Sequence, residues 1–177
     1  MNMKKLLTIL SIFIIWAFPN AGPVCGQELE NTISSSAQLK GDTLEFDNRT
    51  QILKDYFQQF NSPLAEYAEE FVGAADAYEL DWRLLPAISG VESTYGKFIP
   101  QNSYNAYGWN NGAYAFQSWE DSIWTVTKAL KEKYVNRGAN TVDKIGRIYA
   151  PPSPFWAGKV KGIMAKIDSQ PQFILNL

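Results

Sequence analysis

Apolar residues recur at three- and four-residue spacing along most of the chain beyond residue 50, and this spacing constrains the fold more than any other feature. A period of this length buries one face of a helix. A first such pattern runs from Ile52 to Phe60, and a capping residue or a proline precedes each of five later segments. These start signals are Ser62-Pro63, Asp81, Ser118, Thr141 and Ser153-Pro154. We therefore expect an all-α fold.

One segment, residues 95–117, breaks the helical pattern. It combines glycine, asparagine and tyrosine without an apolar stripe, which predicts a loop or a small hairpin. From Ser93 to Trp119 the chain has no Asp or Glu. A helical domain with one aromatic insertion resembles a cleft enzyme more than a helix bundle, and the insertion is expected to form one wall of the cleft.

The start of the chain has the order of a secretory signal peptide. Lys4 and Lys5 precede an apolar run over residues 6–18, and helix-breaking and small residues follow, which predicts a signal peptide over residues 1–21. The run is shorter than the roughly 20 residues that cross a bilayer comfortably, although an uncleaved membrane anchor is the alternative. We expect an exported protein, either secreted or held in the cell envelope.

The rest of the chain divides into three parts. Residues 22–49 are polar with little periodicity and predict a flexible spacer. The folded domain is expected over residues 50–170 and a short tail over residues 171–177. Cys25 lies near the new N-terminus, where it is either a lipidation site or an incidental thiol.

Composition excludes several kinds of chemistry. The chain has no His and one Cys, which removes Ser-His-Asp and Cys-His nucleophiles, imidazole-bound metals and an intrachain disulfide. A net charge of −2 gives no support for nucleic-acid binding. We expect no metal and no cofactor, so the chemistry must come from carboxylates, hydroxyls, amides and aromatic rings.

Glu92 is the acid with the most informative position. It follows Ile88 by four residues and Leu85 by seven, so a helix would place its carboxyl on the same apolar stripe. Burial and the C-terminal end of a helix both disfavour negative charge, and a carboxyl held neutral suits a general acid that protonates a leaving sugar oxygen. The alternative is a glutamate that reaches solvent or pairs with Arg83 or Lys97.

The segments around Glu92 carry a family resemblance. They are GVESTYGK at residues 90–97, NAYGW at 105–109, SWEDSI at 118–123, IYAP at 148–151 and WAGKV at 156–160. In this order, over residues 62–168, they resemble the lysozyme-like peptidoglycan glycosidases. The closest group is the bacterial glucosaminidase (endo-β-N-acetylglucosaminidase) domains, and the soluble lytic transglycosylases are relatives. The resemblance implies a lysozyme-like helical fold that cleaves β-1,4 glycosidic bonds of cell-wall glycan.

The resemblance also implies roles for single residues. Glu92 matches the catalytic acid and base, and Tyr149 matches a tyrosine that approaches this glutamate from across the cleft. The substrate-binding set expected from the resemblance and from the aromatic insertion is Ser93, Asn105, Tyr107, Trp109 and Tyr114. Of these, Ser93 is expected to orient the backbone beside Glu92. Transglycosylases usually have Gly-Leu-Met-Gln where this chain has Gly-Trp-Asn after Tyr107, which favours the glucosaminidase branch.

No second catalytic carboxylate is evident. Glu120 and Asp121 follow the Ser118 cap and Asp143 follows Thr141, where the helix dipole accounts for acids. We therefore expect a single-acid mechanism in which the 2-acetamido group of the substrate assists Glu92.

Aromatic residues are concentrated in and after the insertion. Residues 95–124 hold nine of the 25 aromatics in the chain. Their rings either form a platform for sugar rings or a small core that stabilises the insertion. Trp124 lies at core spacing and is expected to pack inside.

The sequence therefore predicts a monomeric peptidoglycan hydrolase, an N-acetylglucosaminidase whose partners are the glycan strands of the wall. A lytic transglycosylase or a muramidase on the same fold is the first alternative. A non-catalytic module that binds cell-wall glycan is the second, and a secreted helical interaction domain is the third.

Overall fold

The computed structural model describes residues 47–151 and 153–170. The predicted signal peptide, Cys25, most of the spacer and the tail lie outside these residues. The described residues form α-helices and no strand: α1 (Arg49–Gln59), α2 (Ala68–Ala77), α3 (Leu84–Ser93), α4 (Trp119–Ala129), α5 (Val142–Tyr149) and α6 (Trp156–Asp168). The predicted all-α class is confirmed for this part of the chain. Within it, every helix is too short or too polar to cross a membrane.

Three of the predicted helix starts are capped as the sequence indicates. In each, a side-chain hydroxyl accepts a hydrogen bond from a backbone N–H in the first turn and so satisfies a donor that the helix leaves free. The pairs are Ser62 with Leu64 at 3.0 Å, Ser118 with Asp121 at 3.1 Å and Thr141 with Lys144 at 3.3 Å. Ser62 starts a 3₁₀ turn over Pro63–Tyr67 that leads into α2.

Two helix ends differ in detail from the expectation. The last helix begins at Trp156 and not at the Ser153-Pro154 signal, because the Ser153 carbonyl closes a turn onto the Trp156 N–H. After α4 the helical segment continues through a π-helical turn, Leu130–Tyr134, and a short 3₁₀ turn, Val135–Arg137. The segment ends at Gly138, whose φ of +96° suits glycine.

The core lies between four pairs of packed helices. α3 packs against α6, α2 packs against α1 and α4, and α5 packs against α6. The largest fully buried side chains include Tyr56, Phe57, Phe71, Ile88 and Ile123. This core holds the end of α3, the end of α5 and the start of α6 close together.

Trp124 does not belong to this core. Its side chain is 38% exposed and its indole N–H donates to Glu70 Oε2 at 2.6 Å. The expectation of a packed Trp124 is therefore wrong, because the ring lies on the outer side of α4 with its polar edge satisfied at the surface.

The insertion between α3 and α4 consists of turns and loop, so the hairpin alternative is not adopted in these described residues. Phe116 N–H donates to the Ser103 carbonyl at 2.8 Å and closes residues 103–116 of the insertion into a loop. The insertion therefore has a fixed shape without a β-ladder.

Candidate active site

Glu92 lies in the last turn of α3, where its carboxylate meets α6. The indole N–H of Trp156 donates to Glu92 Oε1 at 2.6 Å. A hydrogen bond to an ionised acceptor is short and strong, so this contact fixes the direction of the carboxylate. Trp156 itself is buried at the start of α6, which makes it a rigid donor.

The expectation that Glu92 is buried is wrong. Ile88 is fully buried and Leu85 nearly so, whereas Glu92 is exposed. Gly90 and Val91 are only partly buried, so the last turn of α3 already lies at the edge of the core. The apolar stripe reaches the surface before it reaches Glu92. Of the two alternatives, the structure shows the glutamate that reaches solvent, and within the described residues Glu92 forms no ion pair with Arg83 or Lys97.

The second carboxylate oxygen of Glu92 faces the insertion at Gly108. A Cβ atom added to Gly108 would lie 2.9 Å from Glu92 Oε2, and Gly108 has a φ of +63°. Any other residue would therefore crowd the carboxylate and strain the backbone. The insertion approaches Glu92 as closely as it does because residue 108 has no side chain.

The backbone immediately after Glu92 is strained. Thr94 and Tyr95 have φ values of +52° and +59°, followed by Gly96 at +77°. A left-handed conformation is unusual for a β-branched residue and occurs most often where function or tight packing requires it. Ser62 Oγ holds this turn by donating to the Tyr95 carbonyl at 2.7 Å, and the Tyr95 hydroxyl bonds to that of Tyr56 at 2.8 Å.

Tyr149, at the end of α5, connects the insertion to α6. Its hydroxyl donates to the carbonyl of Tyr107, the residue before Gly108. Its ring stacks on Trp156 at 5.1 Å between centroids. Burial, and next the negative charge of Glu92, raise the pKa of the Tyr149 phenol well above its usual value. Tyr149 therefore stays protonated and remains a donor, and it acts beside Glu92 through the backbone of the insertion.

Three of the predicted substrate-binding residues are buried. Ser93 Oγ accepts from Gly96 N–H at 2.8 Å and lies 2.8 Å from the Ala106 carbonyl, to which it can donate. The Asn105 side-chain N–H groups donate to the carbonyls of Trp109 and Tyr114, and its side-chain oxygen accepts from Trp109 N–H, each at 2.9 Å. Ser93 holds the insertion against α3 through Ala106, as expected, and Asn105 holds the insertion together internally. Direct contact with substrate is a wrong expectation for both side chains, because all their polar atoms face the interior.

The aromatic rings of the insertion serve mainly as a small core. Tyr107 is fully buried, so the expectation that its ring lines a sugar channel is wrong. Tyr104 packs edge-on against Trp119 at 5.3 Å. Tyr114 is 45% exposed on an edge-on contact with Phe116, and Trp109 is half-buried. Of the rings in the predicted substrate-binding set, Trp109 and Tyr114 retain surface that is available to a ligand.

Asp121 and Asp143, which follow the caps of α4 and α5, have structural partners. Asp121 accepts from Gln117 N–H at 3.0 Å and from the Thr125 hydroxyl at 3.2 Å. Asp143 forms an ion pair with Lys161 at 3.0 Å. Over residues 47–151 and 153–170 no cluster of three potential metal ligands occurs. Of these acids, Glu92 is the one that lies where the insertion and α6 meet.

Trp156 is the site residue that sequence reasoning missed. In the sequence it belongs only to the WAGKV motif, which assigns it no role. Its packing depends on Gly146 in α5, where a Cβ atom would lie 2.9 Å from the indole ring. A tryptophan at a helix start is ordinary in sequence, and the accompanying signal is Gly146, ten residues earlier.

Comparison of the chain with protein-family models and with curated proteins finds no match.

Proposed function

We propose that this protein is an exported peptidoglycan glycosidase with a lysozyme-like fold, in which Glu92 is the general acid and base. The supporting observation is one exposed carboxylate that accepts from a rigid indole donor and faces the insertion backbone at Gly108, which Tyr149 holds through the neighbouring Tyr107 carbonyl. The motif resemblance supplies the substrate class. No cofactor is required by this chemistry.

The two oxygens of Glu92 have different roles in the proposed reaction. Oε1 accepts from Trp156, so Oε2 is the oxygen that carries the proton. A bound glycan strand covers this exposed carboxyl and excludes water from it. Glu92 then donates its proton to the glycosidic oxygen of the β-1,4 bond as the bond to the anomeric carbon breaks.

The anomeric carbon needs a second group, and the substrate supplies it. The oxygen of its own 2-acetamido group attacks or stabilises that carbon. Glu92, now ionised, takes a proton from a water molecule, whose oxygen bonds to the anomeric carbon as the acetamido oxygen leaves it and the acetamido group is restored. We propose cleavage on the N-acetylglucosamine side. The exposed faces of Tyr114 and Trp109 are the proposed contacts for pyranose rings.

Product analysis tests this proposal. Purified sacculi are incubated with the protein, and the soluble fragments are reduced and examined by mass spectrometry. We expect fragments that end in a reducible N-acetylglucosamine. Fragments lighter by one water, with a non-reducible anhydro end, would show a transglycosylase. Fragments that end in reducible N-acetylmuramic acid would show a muramidase, and binding without any release would show a non-catalytic module.

A further inference from the structure

The surface of α6 beyond Trp156 carries a groove that the proposed reaction does not use. The groove has a volume of about 430 Å³ and lies between the end of α3 and α6. Its lining residues are Gly90, Val91, Lys159, Gly162, Ile163 and Lys166. Two glycines and two aliphatic residues form the apolar part of its lining, and two lysines form the charged part.

The groove lies along the side of α6 that begins at Trp156, the residue that donates to Glu92. Positions 156, 159, 163 and 166 recur at three- and four-residue spacing and so lie along one side of α6. At a rise of about 1.5 Å per residue, Lys159 and Lys166 lie roughly 5 and 15 Å along the helix axis from Trp156. A polymer that passes Glu92 and follows α6 would therefore meet both lysines.

Charge is distributed unevenly along the chain. Residues 142–168 carry five basic and two acidic residues, whereas residues 47–141 carry eight basic and twelve acidic residues. Both acids of the basic segment are already paired, Asp143 with Lys161 and Asp168 with Arg83. Across the described ranges, no carboxylate lies within ion-pair distance of Lys159 or Lys166.

We propose that Lys159 and Lys166 bind the free carboxylates of the peptide stems that wall glycan carries. This inference rests on the proposed function and extends it, because it makes peptide-bearing strands better ligands than bare glycan. The apolar floor suits the aliphatic parts of short peptides, and the two ammonium groups suit two successive carboxylates. The peptides thereby hold the strand beside Glu92.

Binding measured separately from cleavage tests this inference. The Glu92→Gln protein, which leaves its ligand intact, is titrated with soluble glycan strands that carry peptides. The same strands with their carboxylates converted to amides, and strands stripped of peptide, are the comparison ligands. We expect the peptide-bearing strands to bind most tightly, with an affinity that falls as salt is raised.

The Lys159→Gln/Lys166→Gln change is then added, with Lys128→Gln/Lys133→Gln as a control of equal charge elsewhere on the surface. Removing two exposed ion pairs should lower the affinity for the strand roughly three- to tenfold. We expect this loss for the first pair on peptide-bearing strands only, and no loss for the control. Cleavage of stripped strands by the otherwise wild-type double variant should be unchanged.

Three results would overturn the inference: equal loss in the control, an equal loss on amidated strands, or no preference of the parent protein for peptide-bearing strands. A further test removes the phosphate polymers from wall fragments and leaves their carboxylates intact. If binding is then lost, the groove binds phosphate, and the inference is also overturned. A protein that binds these strands as expected but releases no fragments from sacculi would refute the proposed function alone.

Discussion

The geometry around Glu92 depends on single atoms that neighbouring residues supply or omit. Trp156 supplies an N–H at 2.6 Å, and Gly108 omits a Cβ that would lie 2.9 Å from Oε2. Both contacts position a carboxylate that is otherwise exposed to solvent. Each can be removed by one substitution for which the chain offers a matched control.

Replacing Trp156 with Phe keeps an aromatic ring for Tyr149 to stack on and removes the donor to Glu92. Because a hydrogen bond to a charged group contributes about 1.5–3 kcal/mol, we expect kcat on soluble glycan fragments to fall roughly tenfold or more. Trp124→Phe removes an equally short bond, to Glu70, far from the site in sequence. Steady-state kinetics should show the loss in Trp156→Phe alone; equal losses in both variants would indicate a general effect on the fold.

Replacing Gly108 with Ala adds one methyl group against Glu92. Gly112→Ala is its control, since Gly112 also has a positive φ, +78°, but nothing lies within 4 Å of an added Cβ. Both variants should lose roughly 1 kcal/mol of unfolding free energy from backbone strain, measured by urea denaturation. Only Gly108→Ala should also lose most of its activity, and an active Gly108→Ala protein would refute the close approach to Glu92.

At the scale of elements, the insertion is held by a few buried polar side chains. Asn105→Ala removes three hydrogen bonds that connect residues 105, 109 and 114. Since two part-buried carbonyls and the Trp109 N–H lose their partners, we expect a loss of about 1–3 kcal/mol in unfolding free energy. Gln101→Ala, at an exposed position of the same insertion, should change it by less than about 0.5 kcal/mol.

Hydrogen exchange shows where the Asn105→Ala loss falls. Amides of residues 103–116 should exchange faster in this variant while those of α2 and α4 keep their protection. Uniformly faster exchange would mean that the insertion is not a separate element.

Sequence reasoning predicted the helices well because their signals are local. Ser118 and Thr141 cap helices through hydroxyls that act within three residues, and Gly138 ends one through its own φ. The arrangement of Glu92 is not local. Whether position 92 is buried depends on where α6 crosses α3, and the contact with Trp156 joins residues that are 64 positions apart.

The same reasoning explains why the insertion was only partly anticipated. Asn105 and Tyr107 carry polar groups that suit a sugar as well as they suit a turn, so their types do not distinguish a binding role from a structural one. The structure distinguishes them by burial: both side chains face the interior, whereas Trp109 and Tyr114 retain exposed surface. The single-acid expectation rested on the absence of Asp and Glu from the insertion, which the sequence alone shows.

At the scale of the whole molecule, buried tyrosines predict alkaline instability. Burial raises the pKa of Tyr95, Tyr107 and Tyr149 above their usual value near 10. The folded state thus keeps these protons while the unfolded chain loses them. Their contribution to stability is complete below about pH 10 and decreases as the pH rises above it, by about 1.4 kcal/mol per pH unit for each tyrosine.

Thermal unfolding from pH 7 to 11 checks this expectation. The Tm should be nearly constant up to about pH 9.5 and then fall steeply. Tyr107→Phe should fall less steeply, because it removes one of these groups. It should be as stable as the parent at pH 7, since the Tyr107 hydroxyl is buried with no hydrogen-bond partner among the residues that the structure describes. An unchanged slope in Tyr107→Phe would contradict the assignment.

The most direct test of the central claim is the activity of Glu92→Gln on purified sacculi. Glutamine keeps the size of the side chain and an oxygen for Trp156 but cannot donate the acid proton. We expect the release of soluble glycan to fall by roughly 100- to 10,000-fold, with an unchanged Tm. Glu132→Gln, an exposed position with the same change of charge, should release glycan at the parent rate. Release by Glu92→Gln at the parent rate would contradict the claim that this carboxyl is the proton donor.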